Sequence, residues 1–179
     1  MAMAADVAFD CFALFELPAR FALDCAVLEA SYLAQQRQLH PDRHVRAAPA
    51  QQHAALAATA RLNTAYRTLA EPRARAVHLL ALRGVDAFAA DAAVPAAVLA
   101  RQLDWHEALE AASEPADPPR LAALAAELHA ARESLLAQLA GALDEQADDA
   151  AAAAAIRQLG FVQRLHEQAR AALLAGQSA

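Results

Sequence analysis

The side chains best placed to do chemistry in this chain are those of His40-Pro41-Asp42, an imidazole and a carboxylate held apart by one ring-constrained residue. Taken alone, the tripeptide reads as a turn in which Pro41 stops a helix and Asp42 caps a neighbouring amide. A metal site made from His40, Asp42 and His44 would need a regular helical i, i+4 pair, which Pro41 prevents. The two cysteines, Cys11 and Cys25, have no second Cys pair and no histidine at zinc-finger spacing, so they read as ordinary buried or half-buried thiols. With four glycines and neither G-x-x-x-x-G-K nor G-x-G-x-x-G, the chain has no phosphate cradle, and any nucleotide chemistry must belong to a partner. A helical-bundle metal enzyme would carry paired Glu-x-x-His motifs, and none occurs. His44, His53, His78, His106, His129 and His166 share no spacing and read as surface or internally satisfied residues. No catalytic group, metal ligand or cofactor site is expected, which leaves binding surfaces.

The elements that must position such surfaces are delimited by prolines and glycines. A short aromatic segment, Phe9 to Phe15, ends at Pro18, and Asp24 then has the look of an N-cap for a helix running to Leu39, just before Pro41. On that helix Cys25, Leu28, Tyr32 and Leu39 share a face, and Arg37 points nearly opposite. A polar loop from His40 to Pro49 leads to a second helix, on which Leu62, Tyr66 and Leu69 cluster. Together they predict an αα-hairpin with His40, Pro41 and Asp42 at its tip. A further helix begins at Pro72 and stops at Gly84. Residues 85–96 read as a linker, followed by helices over about 96–112, 120–139 and 143–174. Within the last, Asp148-Asp149 and the run Ala150 to Ala155 read as a solvated, strongly helical stretch.

Composition narrows the class. Of 179 residues 56 are Ala and only 12 are Val, Ile or Thr, so the fold is expected to be all-α. There is no lysine, and 15 arginines against 21 acids give a net charge of −6, which offers nucleic acid no electrostatic footprint. Asp6 and Asp10 precede the first basic residue, Arg20, unlike a secretory signal or a transit peptide. No apolar run approaches the ~20 residues that span a bilayer, so a cytoplasmic protein with no membrane partner is expected. Charge also divides the chain: residues 1–80 hold eight Arg against seven acids, and 81–179 hold seven against 14.

The His-Pro-Asp loop between two amphipathic helices, preceded by Gln36-Arg37-Gln38-Leu39 and followed by Leu62-Asn63-Thr64-Ala65-Tyr66-Arg67-Thr68-Leu69, resembles the J-domain of DnaJ-type co-chaperones. The resemblance widens to nearly the whole chain through Phe12-Ala13-Leu14-Phe15-Glu16-Leu17-Pro18, Arg73 to Leu80, the acidic C-terminal half and Leu159-Gly160-Phe161-Val162, which are similar to the HscB co-chaperone family. It implies a J-domain over 1–84, a linker over 85–96 and a scaffold-binding three-helix bundle over 97–179, packed in an L shape. It further implies that His40, Pro41 and Asp42, with Arg37 and Arg43, engage a DnaK-type chaperone of the HscA type and trigger its ATP hydrolysis. The bundle would meanwhile hold the iron-sulfur cluster scaffold, IscU.

The client surface has partial support in periodicity. On the helix starting near Ala96, Val98, Gln102, Trp105 and Leu109 form a core stripe, whereas Leu99 and Leu103 lie to one side with Asp104 and Glu107 beyond. An apolar patch rimmed by acids suits protein binding, and a wider core stripe would look the same in sequence. The resemblance favours binding and implies the set Leu99, Ala100, Leu103, Asp104, Glu107, Ala111 and Phe161. Ala100 stands where the family has a larger apolar residue, and Ala111 where a further acid is usual. A J-domain protein with another client is the alternative.

Overall fold

Local capping decides where each helix begins. In the computed structural model, which describes residues 9–39, 48–89, 94–113 and 117–176, every described element is helical. The Asp10 carboxylate accepts the amides of Phe12 and Ala13 and opens α1 (Cys11–Leu14). Asp24 accepts those of Ala26 and Val27 at 2.9 and 3.3 Å and opens α2 (Cys25–Leu39), as its position predicts. Pro49 starts α3 (Pro49–Ala70), and Glu71 with Pro72 starts α4 (Pro72–Leu82). The chain leaves α4 through Gly84, whose φ of +76° lies in the left-handed region that costs glycine nothing. Then follow α5 (Ala96–Ser113), α6 (Pro118–Ala140), a π-helical turn over Gly141–Gln146, and α7 (Asp149–Gly176).

Two compact units result, Met1–Val85 and Asp86–Ala179. In the first, α2 and α3 form the hairpin. Tyr32 and Tyr66 stack with ring centroids 4.3 Å apart, and the Tyr32 hydroxyl donates to Asn63 Oδ1 at 3.0 Å while accepting from Gln36 Nε2. Ser31 and Gln35, on the same helix, donate to the carbonyls of Phe15 and Leu14 and so fasten α1. Phe12, Leu28, Leu62, Leu69, Leu79 and Leu80 close the core. Cys11 is buried within it, but Cys25 is exposed, contrary to its expected place on the core face. Cys25, Ala26 and Val27 of the first turn are all exposed, and the stripe is covered only from Leu28.

The second unit is an α6–α7 hairpin with α5 laid along it. Leu121, Leu124, Leu128, Leu135 and Leu139 of α6 meet Ile156, Leu159, Val162 and Leu165 of α7 as the buried core. Two expectations fail here. The last helix starts at Asp149, not near Leu143, because the chain leaves α6 through the π-helical turn and reverses at Ala147, a non-glycine residue at φ 53°. Asp148 then caps the new helix by accepting the Ala151 amide at 2.9 Å. The run Ala150 to Ala155 is helical but only partly solvated, since Ala152, Ala153 and Ala155 are buried while Ala150 and Ala151 are exposed. Their methyl groups let α7 approach α6 closely, which larger side chains would prevent.

Candidate functional site

Of the residues expected to meet a chaperone, Arg37 is exposed in the last turn of α2. His40, Pro41, Asp42 and Arg43 lie outside the described residues, as does His44. What the structure does describe is their mounting. Leu39, the last residue of α2, has its carbonyl 3.4 Å from the Thr59 hydroxyl of α3, which is itself 2.9 Å from the Ala55 carbonyl. The far side of the loop enters α3 at Pro49, whose missing amide hydrogen is no loss in a first helical turn.

The α5 helix has two faces, as its pattern predicts. Trp105, Leu109 and Ala112 are buried, and Val98 and Gln102 are half-buried beside them. Leu99 and Leu103 are 53% and 57% exposed, so they do not widen the core. At ~100° per residue, Leu99, Leu103, Glu107, Ala100, Ala111 and Asp104 succeed one another around the side opposite Trp105, and all six are exposed. Phe161 is half-buried on α7 and lines a cavity with Gln102 of α5.

A brace that sequence reasoning misses fixes the buried face. Glu127 of α6 accepts the Trp105 indole N–H at 2.8 Å and pairs with Arg101 at 3.2 Å, while the Arg101 guanidinium lies 5.0 Å from the Trp105 ring centroid. Arg101, Trp105 and Glu127 have no shared motif; only knowing that α5 and α6 adjoin brings them together. The same holds for His129 and His166, whose rings come within 6.2 Å across α6 and α7. Burial, aided by Arg170, His129 and Arg132, holds His166 below the usual histidine range, against the opposing pull of Glu167. His78 is an internally satisfied histidine, accepting the Cys11 amide at 3.1 Å and stacking on Phe12. Among the described residues, no three His, Cys, Asp or Glu side chains gather as a metal-binding group. No described helix is long and apolar enough to cross a membrane.

Comparison with known proteins places this geometry. The HSCB C-terminal oligomerisation domain family matches residues 94–170, which span α5 through most of α7. A co-chaperone protein HscB homolog of Burkholderia multivorans is 46% identical over 155 residues, covering 86% of this chain and 88% of that protein. The chain belongs to the HscB co-chaperone family. An HscB homolog of Cupriavidus taiwanensis is 42% identical over 92% of the chain and 93% of its own length. Among solved structures, HscB from Vibrio cholerae superposes with a TM-score of 0.80 at 34% identity, covering 90% of this chain and 96% of that one. Human HscB, at 21% identity and a TM-score of 0.82 over 92% of this chain and 82% of its own, shares the fold.

Proposed function

We propose that this HscB-family protein binds an iron-sulfur cluster scaffold of the IscU type and delivers it to a DnaK-type chaperone of the HscA type, stimulating that chaperone's ATPase during cluster transfer. The observation that carries the reading is the outer face of α5. Leu99 and Leu103, one helical turn apart and more than half exposed, lie to one side of the buried stripe, with Ala100, Ala111, Asp104 and Glu107 continuing the exposed surface around the helix. Burying two such leucines against a client would contribute roughly 1.5–3 kcal/mol each, while the acids choose a partner with cations at the matching positions. The residues that act are Leu99, Ala100, Leu103, Asp104, Glu107, Ala111 and Phe161 toward the scaffold, and His40, Pro41, Asp42, Arg37 and Arg43 toward the chaperone.

The protein itself catalyses nothing in this reading. ATP hydrolysis resides in the chaperone, the cluster is cargo on the scaffold, and the site of action is the cytoplasm. Holding both partners on one chain raises the effective concentration of client at the chaperone. Steady-state ATPase of the chaperone, with this protein and the scaffold added separately and together, tests it. Each should stimulate alone and the pair should exceed their sum. Stimulation by this protein that the scaffold leaves unchanged would refute the client assignment and favour a J-domain protein with another client.

A further inference from the structure

The unit that carries the acidic outer face of α5 also carries a cationic cluster, on α7. On α7, Arg157, Phe161 and Arg164 are spaced i, i+4, i+7, which at ~100° per residue keeps them within about 60° of one another. All three line a cavity of about 220 Å³ whose other walls include Val94, Pro95 and Gln102. No acidic side chain lines it. Arg157 is steadied by donating from Nη1 to the Ala87 carbonyl at 2.8 Å, which leaves its other N–H groups to spare. Arg164 is exposed, and among the described residues neither arginine makes an ion pair. This concentration of positive charge sits in a segment, 86–179, that holds six Arg against 14 acids.

We propose that this cavity gives the Phe161 end of the client surface a second, charged contact, in which a carboxylate from an acidic segment of the client sits between Arg157 and Arg164 beside the apolar group that Phe161 receives. The inference rests on the scaffold-binding reading above and adds a specificity rule to it. Two guanidinium groups with no acid beside them match a carboxylate in charge and in fork geometry, and the ring between them supplies apolar area. Gln102 joins the cavity to α5 on the flank next to Leu99, about 60° away around the helix, whereas Asp104 and Glu107 lie farther round, on the outer face. A client must therefore bring cations to α5 and a carboxylate to α7. Reversed, it would set like charges against each other at both places, so the surface fixes the client's orientation. A second copy of this chain is the rival occupant, disfavoured by the mutual repulsion of two molecules of net charge −6.

Titration calorimetry of the full chain against purified scaffold at low and moderate salt, for the wild type, Arg164→Gln, Arg164→Glu and Leu103→Ala, tests the proposal, with sedimentation velocity run on each. Arg164→Glu should weaken scaffold binding about tenfold or more and flatten its salt dependence, with unchanged melting because the side chain is exposed. Arg164→Gln should show a smaller loss in the same direction, and Leu103→Ala should lose affinity with the salt dependence retained. If Leu103→Ala weakens binding while Arg164→Glu binds as the wild type does, the second contact is wrong and the scaffold reading stands. If the wild type itself fails to bind scaffold, both fall. If Arg164→Glu changes only self-association, the occupant is a second copy and the proposal is overturned.

Discussion

Leu103 and Leu128 are the same residue type in the same unit, 57% and 0% exposed. Replacing Leu128 by Ala should cost ~2–5 kcal/mol of folding stability by opening a cavity. Replacing Leu103 by Ala should leave melting nearly unchanged and cost roughly 2 kcal/mol or more of scaffold affinity. Measuring melting and binding for both variants checks the assignment, and an early-melting Leu103→Ala that binds normally when folded would sink it. His78 allows a pH prediction. Burial outweighs the nearby Asp10 and holds its pKa below the usual value, and its Nε2 must stay unprotonated to accept the Cys11 amide. Because the unfolded chain takes up the proton more readily, the stabilisation is complete above the unfolded value of about 6.5 and is lost as pH falls through it toward the folded one. Thermal melts should therefore show a decline from about pH 7 to about pH 5 that is shallower in His78→Gln, which keeps an acceptor but does not titrate. Equal slopes would remove His78 from the account.

At the level of elements, the α6–α7 seam is where alanine decides the packing. Ala152 is fully buried and its neighbour Ala151 is exposed. Ala152→Leu should force the helices apart and cost ~1–3 kcal/mol, whereas Ala151→Leu should be close to neutral; comparable melting of the two would mean the seam is not tight. This stretch also marks what sequence could and could not reveal. Asp24 and Pro72 announced their helices because capping chemistry is local, whereas the Asp117 cap that starts α6 at Pro118 went unread behind a run of prolines. The opposite faces of α5 were legible because Leu, Trp, Asp and Glu contrast strongly along it. Ala150 to Ala155 carries no such contrast, since six identical methyl groups cannot say which of them is covered. The π-helical exit from α6, the Trp105–Glu127 bond and the meeting of His129 with His166 depend on how distant segments pair, which no window of sequence contains. The cationic stripe on α7 was readable at i, i+4, i+7, but it could be weighed only once the cavity it lines was visible.

For the whole molecule, the central expectation is that the two proposed activities separate by mutation. His40→Gln should abolish stimulation of the chaperone's ATPase with no change in circular dichroism, melting or scaffold affinity, because the loop belongs to a different compact unit from α5. Leu103→Ala should show the converse: ordinary stimulation by the protein alone and a weakened additional effect of scaffold. A His40→Gln variant that still stimulates fully would remove the loop from the mechanism.

The two thiols make these experiments practical. Cys11 is buried, and its pKa is pushed up by burial and then by Asp10, so it resists alkylation in the folded state. Cys25 is exposed beside the start of α2. Maleimide at neutral pH should therefore modify the native chain once and the denatured chain twice, which intact-mass spectrometry can read directly. A fluorophore placed this way sits on α2, the helix that leads to the proposed chaperone-binding residues, with no engineered cysteine and no cysteine removed. The wild-type sequence thus carries its own single attachment point for following chaperone encounter in real time.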